Sequence, residues 1–190
     1  YILSVDGWVA ETYRIIETTK KGKEVDKGWT CDLIPKQLVV DRYFAEEFAT
    51  INKLKEELEQ ATQEMQNLDE ENSGDEDVFS EVRSESGSIT VGELKKKIKE
   101  FKNDPNMQEE LVVLEKYMFF KDEEKRLKNA IKDLEGKLDD ELLAKYPTLS
   151  ENEIKELVVD DKWITELHKR VTSELDRVSR RLASRILELA

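Results

Sequence analysis

The chain has 190 residues and a formal net charge of −13, and 39% of its residues are charged against 38% hydrophobic. A chain of this length suits one domain or two small ones, burying roughly two thirds of the unfolded surface, and so acidic a surface excludes strong nucleic-acid binding by the whole chain while leaving room for a local basic face. The single cysteine, Cys31, excludes an internal disulfide, nothing at the start resembles a signal peptide, and no apolar run approaches membrane-spanning length, so the expected compartment is the cytoplasm with no membrane partner.

Aromatics make up 7% of the chain, with only seven glycines and three prolines. That composition belongs to long helices with exposed flanks, so the expected fold is mainly α, a bundle or coiled-coil-like arrangement. Strand character is confined to residues 1–35. There YILSV, WVAETYRII and KGWTCDL are rich in β-branched and aromatic residues, and TTKKGKEVDKG forms a polar turn, which predicts a small hairpin or three-stranded patch. The opening YILSVDGW lacks a methionine and starts in mid-strand, so the segment reads as an excised piece of something longer.

Pro35 disfavours the α conformation at Ile34, so a helix is expected to begin beyond it. Phe44, Ile51, Leu58 and Met65 then recur every seven residues, with Leu54, Ala61 and Leu68 at the complementary position. A helix over 36–68 would be roughly 50 Å long at 1.5 Å per residue, too long for the chain's own core to cover. Phe44, Ile51 and Leu58 are therefore candidates for a seam that takes a helical partner. Residues 69–88 carry eight acids against one base, Arg83, and are expected to be a solvated, mobile linker.

Residues 89–190 read as a helical region. Val91, Leu94, Ile98 and Phe101 share one face of a short helix, with Ser88 or Thr90 as N-cap, and Asn103-Asp104-Pro105 ends it. A longer helix runs from about Met107 to Tyr146, with Leu127, Ile131, Leu134 and Leu138 spaced for burial, and Pro147 closes it. Ser150 with Glu153 three residues on predicts a capping box. The phrase ELVVDDKW that follows is expected to break near Val159, with Asp160 or Asp161 capping a final helix and Trp163 anchoring the corner, so that Ser150 to Trp163 forms a structural joint. In the last helix Ile164, Leu167, Val171, Leu175, Val178, Leu182, Ile186 and Leu189 are spaced 3, 4, 4, 3, 4, 4, 3, an eleven-residue repeat that packs nearly straight. Lying beside the first long helix, or gripping a third party jointly with it, is the expected role.

Catalytic equipment is sparse. No two glycines are separated by one residue, so neither a dinucleotide nor a Walker-type loop can be built. His168 is the sole histidine, which leaves a zinc site without ligands, and pairing it with Cys31 as a nucleophile lacks independent support. Glu153, Glu156, Asp160 and Asp161 would suit a hard cation, but caps and salt links to Lys155 or Lys162 are the plainer reading. No catalytic, cofactor or metal residue is assigned. Lys169, Arg170, Arg177, Arg180, Arg181 and Arg185 make the final helix locally basic, and Arg170, Arg177 and Arg181 fall near one face, where phosphates or an acidic partner could be met. An exposed helix balanced by Glu166, Glu174, Asp176 and Glu188 is the plainer alternative.

Several phrases, taken as a set, carry a resemblance. DGW at Asp6 to Trp8, DLIPKQLVVDRYFAEE at Asp32 to Glu47, AKYPTLSENEIKELVVDDKW at Ala144 to Trp163, and the closing ELDRVSRRLASRILELA at Glu174 to Ala190 resemble, in order over nearly the whole chain, the C-terminal region of the modification subunit of type I restriction-modification systems. The resemblance implies a parent protein that transfers methyl from S-adenosylmethionine to adenine N6 in DNA, through a catalytic domain. The family's F-x-G-x-G and N-P-P-F signatures are missing here, so no enzymatic role falls to this chain. It implies assembly instead: C-terminal helices pack on the helical spacer of a specificity subunit, with a restriction subunit in the full complex and DNA engaged through the assembly. Leu167, Val171, Leu175, Val178 and Leu182 are then the expected seam of the final helix. A DNA clamp using the basic helix and a self-associating coiled coil are the competing expectations.

Overall fold

The computed structural model describes residues 7–72, 78–84 and 87–189. The fold is mainly α, with one small antiparallel hairpin, β1 (Tyr13–Thr18) and β2 (Glu24–Thr30), near its N-terminus. Among the described residues six α-helices follow: α1 (Lys36–Tyr43), α2 (Ala45–Glu71), α3 (Val91–Phe101), α4 (Gln108–Lys145), α5 (Glu151–Lys155) and α6 (Thr165–Leu189). A π-helical segment, Glu156–Ile164, joins α5 to α6, and short 3-10 turns lie at Ser80–Val82 and Tyr146–Thr148. The chain divides into two compact units, Tyr1–Phe48 with Lys137–Ala190, and Ala49–Gly136.

In the hairpin Tyr13 pairs with Thr30 and Thr18 with Glu24, with a register shift between Arg14 and Ile16. Gly22, at φ 75°, makes the turn, a left-handed conformation that side chains resist. YILSV lies outside the described residues, so the third strand of the expected patch is not among them.

The core of the first unit forms where the chain returns after about a hundred residues. Trp29, Ile34, Val39, Tyr146, Leu157 and Val158 are all buried. Trp29 meets the Tyr146 ring edge-on, with centroids 5.1 Å apart, and its indole N–H donates to Asp139 at 2.8 Å. Lys36 donates to the same carboxylate at 2.6 Å and lies 3.7 Å from the Trp29 ring centroid. One acid thus orients both a lysine and an indole.

In the second unit α2 and α4 run antiparallel: Lys55 pairs with Glu135 at 2.7 Å, while Ala61 further along α2 shares a cleft with Leu127, earlier in α4. Ile51, Ala61, Met65 and Leu68 are buried on α2, and Leu127 and Ile131 on α4. The first helical seam is therefore covered from within the chain. It is also not one helix, because the chain changes course at Phe44, where ψ turns to 29°.

A second cluster in this unit corrects the expected linker. Phe79 and Val82 are buried with Leu94, Ile98, Leu111, Leu114 and Met118, and Phe79 lies 5.0 Å from the Tyr117 ring. Arg83, the one base of the acidic stretch, is ion-paired with Asp69 and bridges by its backbone to Ile89. The buried side chains of Phe79 and Val82 outweigh the local charge, because each buried aromatic or aliphatic group contributes about 1.5–3 kcal/mol. Residues 73–77 and 85–86, with the remaining acids, lie outside the described residues. Thr90 precedes α3 as its N-cap residue, without a side-chain cap bond.

Candidate docking helix and its joint

The joint begins as its spacing predicts. The Ser150 backbone N–H donates to the Glu153 carboxylate at 2.8 Å, the Ser150 hydroxyl donates to the same oxygen at 2.7 Å, and the Glu153 N–H donates back to the hydroxyl at 3.3 Å. Tyr43 adds a further bond to Glu153 at 2.9 Å. The Ser150 backbone N–H, then its hydroxyl, then Tyr43 stabilise the charged form and hold the Glu153 carboxyl down at about 2.

Beyond Lys155 the expectation of a break fails. The chain stays helical through Glu156–Ile164 but winds more widely, as a π-helix, and the Thr165 backbone N–H bonds back to the carbonyl of Asp160, five residues earlier. Because winding never stops, there are no free N–H groups at Val159 for Asp160 or Asp161 to cap. Asp161 instead pairs with the Arg42 guanidinium at 3.1 Å, and Glu156 takes another nitrogen of the same group at 2.6 Å. Asp160 uses its backbone carbonyl to accept the Thr165 hydroxyl at 3.0 Å.

The spacing of those two acids explains Arg42. Residues five apart lie about 140° apart on an α-helix of 3.6 residues per turn, and one guanidinium fork cannot span them. The wider π turn brings them to one side. Arg42 and the π winding therefore support each other, and Lys162 adds a tie to the Leu33 carbonyl at 2.7 Å. Leu157 and Val158 are fully buried beneath. Arg42 and Tyr43 escaped sequence reasoning, and Lys162, expected in a salt link, bonds the Leu33 carbonyl instead; the one available signal for Arg42 was a Glu and an Asp at a spacing foreign to the α-helix.

Trp163 does not anchor the corner. It is 48% exposed, because burial ends at Lys162 and every side chain from Trp163 through Glu188 is exposed. Helix α6 thus leaves the core carrying a full apolar stripe: Leu167, Val171, Leu175, Val178 and Leu182 are between 51% and 62% exposed, and Ile164 and Ile186 extend the row. Phe44 and Leu58 are half-buried and Ile51 buried, so of the residues named as a partner seam only those of α6 lie open.

The arginines of α6 are partly neutralised by their own helix. Arg170 pairs with Glu166 at 2.7 Å, Arg177 with Glu174 at 2.9 Å, and Arg185 with Glu188 at 3.1 Å. Such pairs each support an isolated helix by about 0.2–0.5 kcal/mol, which matters for 25 residues with no covering core. Arg181 lies on the same flank. Cys31 is buried and His168 exposed, and among the described residues no group of three or more His, Cys, Asp or Glu is placed to hold a metal ion. Among the described residues no helix is long and apolar enough to cross a membrane. Comparison with protein families, curated proteins and solved structures returns no match.

Proposed function

We propose that the chain is an assembly module, the C-terminal region of a type I restriction-modification methyltransferase subunit, which docks through α6 on the helices of a specificity subunit. The observation that carries the reading is the α6 stripe, seven aliphatic side chains on one face of a helix that none of the described residues covers. The ordered set of phrases resembling that family supplies the partner. In this reading methyl transfer from S-adenosylmethionine to adenine N6 belongs to a catalytic domain outside this chain, and a restriction subunit and DNA are met through the assembled complex in the cytoplasm.

The magnitudes require a partner that brings apolar surface of its own. Covering the remaining half of each stripe residue contributes about 1 kcal/mol apiece, a gross gain that barely matches the roughly 4–15 kcal/mol cost of association. The apolar surface that spacer helices bring to the contact shifts that balance.

The test is co-elution of the chain with the helical spacer of its cognate specificity subunit at low and high salt. A complex that survives high salt and is lost in Leu175→Glu/Leu182→Glu is the expected result. A complex that dissolves with salt and is lost instead in Arg170→Gln/Arg177→Gln/Arg181→Gln would favour phosphate contacts, and no complex at either salt would overturn the reading.

A further inference from the structure

We propose that, before a partner is met, the α6 stripe is covered by α6 of a second copy of this chain, packed antiparallel about a two-fold axis near Val178. The inference goes beyond the docking reading and rests on the pattern of α6 itself.

Each residue advances about 100° around an α-helix, so the two flanks of the stripe can be read directly. One flank is mostly uncharged, with His168, Thr172, Ser179 and Ala183 and with Asp176 at its outer edge. The other carries Arg170, Glu174, Arg177, Arg181, Arg185 and Glu188. In an antiparallel pair of identical helices like flanks face each other; in a parallel pair the charged flank meets the mostly neutral one, where Asp176 is the one acidic partner.

Read in reverse, the charged flank complements itself. With the axis near Val178, Arg170 faces Glu188 of the second copy and Glu174 faces its Arg185, and two-fold symmetry repeats both pairings. Only Arg177 and Arg181 meet like charge, and Glu174 already holds Arg177 at 2.9 Å. The same axis sets Leu175 against Leu182 and Val171 against Ile186, because the 3-4-4 spacing reads equally well in both directions. Stripe and charges therefore agree on one arrangement. The mostly uncharged flank lets the backbones approach on the other side.

Disulfide trapping tests the geometry. In the full chain with Cys31→Ser, Val178→Cys is expected to form a cross-linked dimer under mild oxidation, because the two copies of this residue meet at the axis, whereas Val171→Cys, set against Ile186, is not. Sedimentation of the unmodified chain should show a concentration-dependent dimer. Replacing Glu174 and Glu188 by arginine should weaken it at least tenfold at low salt, with added salt restoring part of the loss. Cross-linking at Val171→Cys would mean a parallel pair, and a strict monomer that cross-links at neither position would mean no pair; either result overturns the proposal. Neither bears on docking to a specificity subunit, which is measured separately.

Discussion

The Tyr146 hydroxyl donates to the backbone carbonyl of Ile34 at 2.9 Å, a buried bond between residues 112 positions apart. Pro35 follows Ile34 directly, and burial pushes the Tyr146 phenol up, so the group stays a neutral donor at all ordinary pH. The bond ties the turn after α4 to the entry of α1.

Tyr146→Phe keeps the edge-on contact with Trp29 and removes only that donor. A net hydrogen bond is worth about 0.5–1.5 kcal/mol, and an unsatisfied buried carbonyl adds to the loss. Urea unfolding should show a decrease of about 1–2 kcal/mol at unchanged m-value.

The capping box makes stability depend on acid. Glu153 is held at about 2, below its ordinary value of 4.5. Its contribution is therefore complete above the unfolded-state value and disappears as pH falls from about 4.5 toward 2. In Glu153→Gln the drop of the melting temperature across that window should shrink, and in Ser150→Ala an NMR titration should find the Glu153 carboxyl moved back up.

Arg42 is expected to govern the π segment. Arg42→Ala removes two partly exposed ion pairs, each worth about 0.2–1 kcal/mol, so global stability should fall only modestly. Amide exchange across Leu157 to Trp163 should speed up strongly, while Leu111 to Met118 in the other unit stays protected. Unchanged exchange in the π segment would show that packing of Leu157 and Val158 suffices.

Phe79 distinguishes a folded acidic segment from a linker. It is fully buried beside Tyr117, and Phe79→Ala should destabilise the second unit by about 3–5 kcal/mol. A loss below about 0.5 kcal/mol, as for a surface site, would return the segment to the solvated state its charge suggests.

Leu175→Glu is the opposite case. Leu175 is 62% exposed on α6, so at low protein concentration the melting temperature should hardly move, while any association through the stripe is lost.

Local sequence determined much of this protein. The seven-residue spacing on α2, the 3-4-4 spacing on α6, Pro147, and the Ser150-Glu153 pair each specify a helix, its end or its start, because they act through neighbours one turn away. Gly22 and its polar surroundings specify the hairpin turn in the same way. What covers each apolar face was decided only in three dimensions. The seams of α2 and α6 look alike as strings, yet α2 is met by α4 and Ile51 is buried, while Leu175 stays open. Nor does charge counting reveal that Phe79 and Val82 reach α3 and α4. The π winding is the clearest case: ELVVDDKW has the composition to cap a new helix, and it winds on because Arg42, more than a hundred residues earlier, holds Glu156 and Asp161 on one side. The spacing of the two acids does not name their partner, so only the folded chain could choose between a corner and a continuous helix.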